Sequence, residues 1–282
     1  MARIFFVGLA SLATARAEAA PALHAAAAGA FDLEVAGLLE GVPAGESRWV
    51  RWADLRALPS REITVEGEFV PGPQRVTVVF LDDLLKNLPV KAEADTVLAD
   101  CTDGYASIYT REYIAHWKPF VVLEINGAGP EAWPPAGLTF NPGPYVISVS
   151  DVIAPGVAAM LDVSHKRPWG VSRLRVVREA DALKPFGEGE WAGLSASGLR
   201  GRELWVNSCF SCHKGPGEEL GGTKGGRPFA VIRAYAQFNP GYLKTYVRTP
   251  TELNPSAKMA AHPHYTDEQL GELIDFIVGR KP

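Results

Sequence analysis

The sequence predicts two units in tandem, a sheet-rich α+β region followed by a small all-α one. Three observations carry that reading. From Phe31 to about Val177 the chain runs in short stretches rich in Val, Ile, Phe and Tyr, bounded by Gly, Pro, Asp or Asn, as half-buried strands do. From Leu199 to Pro282 the apolar residues recur at helical spacing instead. Between them, residues 179–198 (EADALKPFGEGEWAGLSASG) are loaded with Gly, Ser, Ala and acids and have no clear period, which reads as a linker.

Taken in order, the chain opens on MARIFFVGLASLATARAEAAP. It has one arginine, Arg3, in its first residues, an apolar run from Ile4 to Ala13, and A-x-A spacing at Ala15, Ala17 and Ala19. That pattern predicts a secretory signal peptide over residues 1–19 and export to a periplasm. The apolar run is well short of the roughly 20 residues that span a bilayer, so no transmembrane segment is expected in the mature chain. An Ala-rich lead to Ala30 has no period that would bury anything. Strands are then expected at FDLEV, REITVEGEFV, RVTVVF, DTVLADC, FVVLEING, YVISVS and SRLRVVRE. WADLRALP and LDDLLKNLP interrupt them as short helices, with leucines at three to four residues and a proline as stop. Asp82 and Asp83 open the second, where they suit the helix dipole. Beyond the linker, helices are expected at GRELWVNSCFSCH, at FNPGYLKTYVRTP and at YTDEQLGELIDFIVGR. The last opens on Thr266 with Gln269 three residues on, a capping-box pattern.

Composition bounds the function. The chain has 282 residues, 47% hydrophobic and 21% charged, enough for one large or two modest domains. Its net charge of -4 is uneven: from Leu199 on there are 11 Lys+Arg against 8 Asp+Glu, and 17 against 24 before it. A basic unit behind an acidic one suits docking of the two on each other, or of the basic one on an acidic partner. No basic stripe marks a nucleic-acid surface, and no nucleophile elbow, phosphate loop or HExxH is present.

The chemistry concentrates at NSCFSCHKGPG. Cys209 and Cys212 lie three residues apart with His213 directly after them, and Cys101 is the third and last cysteine. Two thiols on one helical turn can each add across a haem vinyl group while the next imidazole faces the iron. A disulfide would be stable in an exported protein but would not call for the histidine, and a zinc site would want a second pair, which no later thiol supplies. One covalently held haem c is therefore expected. Its second axial ligand must come from downstream: Met259 is expected, with His262 and His264 as rivals close by. Leu204, Trp205, Leu270, Leu273 and Phe276 are expected to form the contact between the first and last helices.

Residues 199–282 resemble a class I cytochrome c domain, through GRELWVNSCFSCH, GGRPF, the NPSAKM loop and TDEQLGELIDFI. The resemblance implies thioethers at Cys209 and Cys212, His213 as the proximal ligand, Met259 as the distal one, and Pro228 presenting a carbonyl to His213 Nδ1. Residues 31–178, with WADLRALP, LADCTDGYASIY and VVLEINGAGP, are similar to the sulfite-oxidase type of molybdopterin-binding domain. In that family a cysteine in the loop corresponding to LADCTDGY binds molybdenum, which would make Cys101 the ligand.

Three departures argue against a loaded molybdenum site. No basic residue lies between Lys118 and Lys166, where the family carries a cofactor-holding arginine, leaving Arg111 or Arg167 to fold in from elsewhere. Small relatives of the fold lack the cysteine. Molybdopterin enzymes leave the cytoplasm folded through a twin-arginine signal, and Arg3 stands alone. Cys101 is accordingly expected to be a buried free thiol, with metal ligation as the alternative. His24, His116 and His165 read as scattered surface or packing residues. The leading expectation is an electron carrier that serves redox partner proteins, its N-terminal domain lacking molybdenum. The alternative is a molybdenum oxidoreductase of the sulfite-dehydrogenase type, passing electrons to its own haem.

Overall fold

The computed structural model describes residues 21–66, 72–218 and 220–282. The signal peptide expected over residues 1–19 lies outside them, as does the end of the REITVEGEFV stretch. Ten strands among the described residues form one mixed sheet: β1 (Leu23–His24), β2 (Leu33–Gly37), β3 (Ser47–Val50), β4 (Arg61–Glu66), β5 (Pro73–Phe80), β6 (Thr96–Cys101), β7 (Ala106–Thr110), β8 (Phe120–Ile125), β9 (Tyr145–Ser148) and β10 (Trp169–Val177). Their order is β1-β3-β2-β10-β9-β8-β5-β4, with β6 on β10 and β7 on β6. β10 is the hub. It pairs with β2 in parallel and with β6 and β9 antiparallel, its register shifting around Val171, which faces both Cys101 and Tyr145.

Period-two alternation sorts the side chains between two faces. From β6, Val97, Ala99 and Cys101 enter a cluster with Leu33, Val35 and Val50, while Leu98 points to the other side. On β8, Val121 and Leu123 join that same cluster, whereas Phe120 and Val122 pack with Val76, Val78 and Trp133 on the opposite face. Two short helices cover the first face, α1 (Trp52–Arg56) and α2 (Leu81–Asn87), through Leu55, Leu81 and Leu84. A third, α3 (Arg111–Trp117), follows β7 and is capped by Thr110.

The remaining helices are α4 (Glu179–Ala182), α5 (Ala196–Leu204), α6 (Phe229–Phe238), α7 (Pro240–Arg248), α8 (Pro250–Leu253) and α9 (Asp267–Val278). α5 and α9 cross most closely, and Trp205 meets Phe276 at 5.9 Å between ring centres. The capping box at Thr266 and Gln269 is formed, and α9 ends on Gly279 at φ 72°. No helix of the described residues is long and apolar enough to cross a membrane.

The segment read as a linker is part of the helical core. Phe186 is fully buried between Phe210 and Phe276, Trp191 packs edge-on against Phe229 and donates to the Phe276 carbonyl, and α5 starts inside the segment on a Ser195 cap. Composition pointed to a tether, but two aromatic anchors among the glycines are enough to hold it down. The helical region also seals one face of the sheet. Leu98, Ala106 and Ile108 of β6 and β7 belong to its apolar cluster, together with Trp205, Phe210 and Leu270.

Candidate functional site

Between α6, α7 and the α5–α9 pair lies a mostly apolar cavity of about 780 Å³, open mouth included. Cys209, His213 and Met259 are all on its wall, among Trp205, Tyr242, Tyr246, Leu243 and Leu273. The local backbone explains the first two. After Leu204 the helix widens by one residue into a π-turn over Trp205–Cys209, closed by Phe210 N–H on the Trp205 carbonyl at 2.8 Å. His213 then returns its N–H to the Cys209 carbonyl at 2.8 Å.

A glycine-rich loop clasps this turn from outside. Gly222 donates to Phe210 O at 2.8 Å and Gly225 to Cys212 O at 2.5 Å. A Cβ at Gly225 would sit 2.2 Å from His213 Nδ1, so only glycine lets the loop pass. Burial pushes the Cys209 and Cys212 thiols up from their ordinary values, with Lys224 pulling Cys212 the other way. Burial likewise lowers His213, against the opposing effect of the Arg227 backbone, so its ring is neutral at pH 7. Its Nδ1 is enclosed and makes no hydrogen bond of normal geometry.

The Pro228 carbonyl does not take the place expected for it. It accepts instead from Val231 N and Ile232 N at the start of α6, and the backbone acting on the His213 ring is that of Arg227, one residue earlier. The two rival histidines are also held elsewhere. His262 Nδ1 lies 3.3 Å and His264 Nε2 2.9 Å from Asp162 Oδ1, and neither ring is on the cavity wall.

Cys101 ends β6 with 8% exposure, inside the apolar cluster of the sheet. Burial, helped by Asp103 and Asp100, pushes its thiol up to about 12. The loop that follows it is covered by the cysteine-bearing segment: Ala106 N–H reaches Ser211 O at 3.0 Å, Thr223 N–H reaches Gly104 O at 2.6 Å, and Lys224 pairs with Asp103. The nearby charges are already engaged. Arg175 holds Asp100 through two bonds at 2.6 and 2.8 Å, Arg111 donates to the Ala92 and Ala94 carbonyls, and Arg167 to Val149 O at 3.1 Å.

The same junction contains a second constellation that sequence reasoning did not assemble. Asp162, which precedes the short 3₁₀ turn Val163–Lys166, and His165 within it meet His262, His264 and Tyr265 from the loop before α9. Tyr105 holds His165 Nδ1 at 2.8 Å, and the Tyr265 hydroxyl links the Asp162 carboxylate to Ser208 Oγ. Next to it Lys166 is buried, its Nζ donating to Ile108 O at 2.7 Å and lying over the Tyr109 and Tyr113 rings.

No family model and no curated protein matches the chain. Among solved structures it is similar to the sulfane dehydrogenase SoxCD from Paracoccus pantotrophus, at 16% identity over 52% of this chain and 38% of that one, with a TM-score of 0.35. The chain thus spans well under half of that neighbour, and a TM-score so low does not define a fold.

Proposed function

We propose that the chain is an exported monohaem c-type cytochrome that transfers single electrons between protein partners, its sheet-rich region a molybdopterin-type fold without molybdenum. The observation that carries this reading is the presence of Cys209, His213 and Met259 on one apolar cavity wall, with Cys212 on the same turn. The donor set fits: two thiols, an imidazole kept neutral by its burial, and a soft thioether. Bound there, haem c would supply a one-electron Fe(III)/Fe(II) couple. Cys209 and Cys212 would tether it, each adding its sulfur and hydrogen across one vinyl group, an addition that neither takes nor gives electrons. His213 and Met259 would hold its iron, and the aromatic wall would exclude water from it. The slightly basic helical region suits a redox partner with an acidic face.

The residues around Cys101 do not fit a molybdenum cofactor. A buried thiol with a pKa near 12 is protonated at neutral pH, its closest carboxylates repel a thiolate, and Arg111 and Arg167 are occupied by backbone carbonyls. The covering loop leaves Cys101 without an open approach for a substrate.

The test is haem retention. Protein matured in a periplasm with haem-attachment machinery should keep its haem through acid and organic extraction, and Cys209→Ala/Cys212→Ala should lose it entirely. In the wild type a sulfur-to-iron charge-transfer band should appear at the red end of the ferric spectrum and vanish in Met259→Ala. Haem that extracts freely from the wild-type chain would end this assignment.

A further inference from the structure

We infer that Asp162, His165 and His262 form a binding site for a borderline divalent cation, zinc by preference, at the junction of the sheet and the helical region. This does not rest on the haem reading. One ligand atom from each residue lies within 4.8 Å of the others. Bonds of about 2.0–2.1 Å in a tetrahedral site place ligand atoms about 3.3 Å apart, so closure needs shifts of an ångström or so. The set is two imidazoles and one carboxylate, which suits Zn²⁺, Co²⁺ or Cu²⁺ over the all-oxygen preference of Mg²⁺ and Ca²⁺. His264 Nε2 lies 2.9 Å from Asp162 Oδ1 at the edge of the set, and a water can complete the coordination.

The surroundings resemble those of a ligating site. The Tyr105 hydroxyl occupies His165 Nδ1 and so leaves Nε2 as the free nitrogen, the kind of outer partner that fixes a metal-binding tautomer. His165 and His262 lie face to face, 5.6 Å between ring centres and 17° from parallel. The Asp162 side chain is 4% exposed and sits on left-handed backbone at φ 52°, a conformation that needs external support. A cation here would join two segments a hundred residues apart in the chain and clamp the helical region onto the sheet.

The test is calorimetric titration of the full chain with zinc chloride at pH 7, after EDTA treatment. One ion per chain should bind, with affinity reduced at least about tenfold in His165→Gln and in His262→Gln, and unchanged in His116→Gln on α3. Co²⁺ should give an intense visible d–d band that both variants lose. Should His262→Gln fail to fold, as judged by circular dichroism, His165→Gln decides alone, since it leaves the Asp162 contacts in place. The inference fails if no stoichiometric zinc binds. It also fails if binding survives His165→Gln and disappears in Cys209→Ala/Cys212→Ala, which would put the ion on the thiols.

Discussion

Gly201→Ala is expected to destabilise the chain by about 3 kcal/mol, lowering the apparent Tm by about 6–12 °C. On helix propensity alone the sign would be the reverse, since alanine gains up to about 1 kcal/mol over glycine inside a helix. The crossing of α5 and α9 decides. A Cβ at position 201 would sit 1.9 Å from the Glu272 carbonyl oxygen and 2.5 Å from its carbon, both backbone atoms that cannot swing away. The helices would have to part by more than an ångström, loosening Trp205 from Phe276 and opening the cavity wall. Gly226→Ala is the matched control, because nothing lies within 4 Å of the added carbon. Thermal unfolding of the three chains checks it, and equal Tm values would refute the backbone contact.

Lys166→Met is expected to stabilise the chain at pH 7 by about 3 kcal/mol and to remove the rise that Lys166 gives stability between pH 7 and 9. Lys166 is 5% exposed with no carboxylate partner, and burial lowers its pKa from 10.5 to about 7. The unfolded chain therefore keeps a proton that the folded chain gives up across that interval, so wild-type stability rises with pH, by at most about 2.7 kcal/mol from pH 7 to 9. Methionine removes that proton and its desolvation, at the loss of one bond to Ile108 O, worth about 1 kcal/mol. Within the window the Cys101, Cys209 and Cys212 thiols, raised by burial, act with the opposite sign, since the unfolded chain loses their protons first as pH nears 9; the remaining groups act outside it. Tyr105, Tyr109 and Tyr113 are raised by burial, so they lower stability only at higher pH, once the unfolded chain begins to lose those protons. His165, lowered to about 4, costs stability as pH falls from about 6.5 toward 4. Urea titrations of wild type and variant at pH 7, 8 and 9 give the slopes directly. Equal pH slopes in wild type and variant would show that Lys166 titrates normally.

Much of the sheet was readable because its strands alternate or run apolar between turn residues, as in RVTVVF and FVVLEI. β7 was not, because its first four residues are buried on both faces and ASIYT carries neither alternation nor a strong apolar run. α3 has seven residues, too few to establish a period, and α6 hid behind the β-branched and aromatic residues of FAVIRAYAQF. Phe186 and Trp191 were lost in a composition that looks like a tether. On the cavity wall, Cys209 and His213 were marked by their spacing with Cys212, and Met259 by its place before the last helix. Pro228 could not be judged from sequence, because its carbonyl is claimed by Val231 N and Ile232 N at the start of α6. His165 read as a packing residue because its partners at 162 and 262 are assembled only by the tertiary fold. Nothing local to PGVAAMLDVSHKRPW signals them.

The hub position of β10 sets a timetable for folding. Val35 of β2 has its parallel partner at Leu174, and Val97 of β6 pairs with Val176, so neither strand can complete its ladder until the chain has been made through Val177. Such long-range closure is slow, and it leaves the N-terminal strands with open edges while the rest emerges. The cysteine pair follows β10 by some thirty residues. It therefore arrives as the sheet is closing, and the loop from Cys101 to Ala106 is ready to cover it. Under the proposed haem reading, attachment at Cys212 after export would have a limited interval, between arrival of the turn and its docking on the loop from Cys101 to Ala106, and a chain that docked early would be left folded but unmodified.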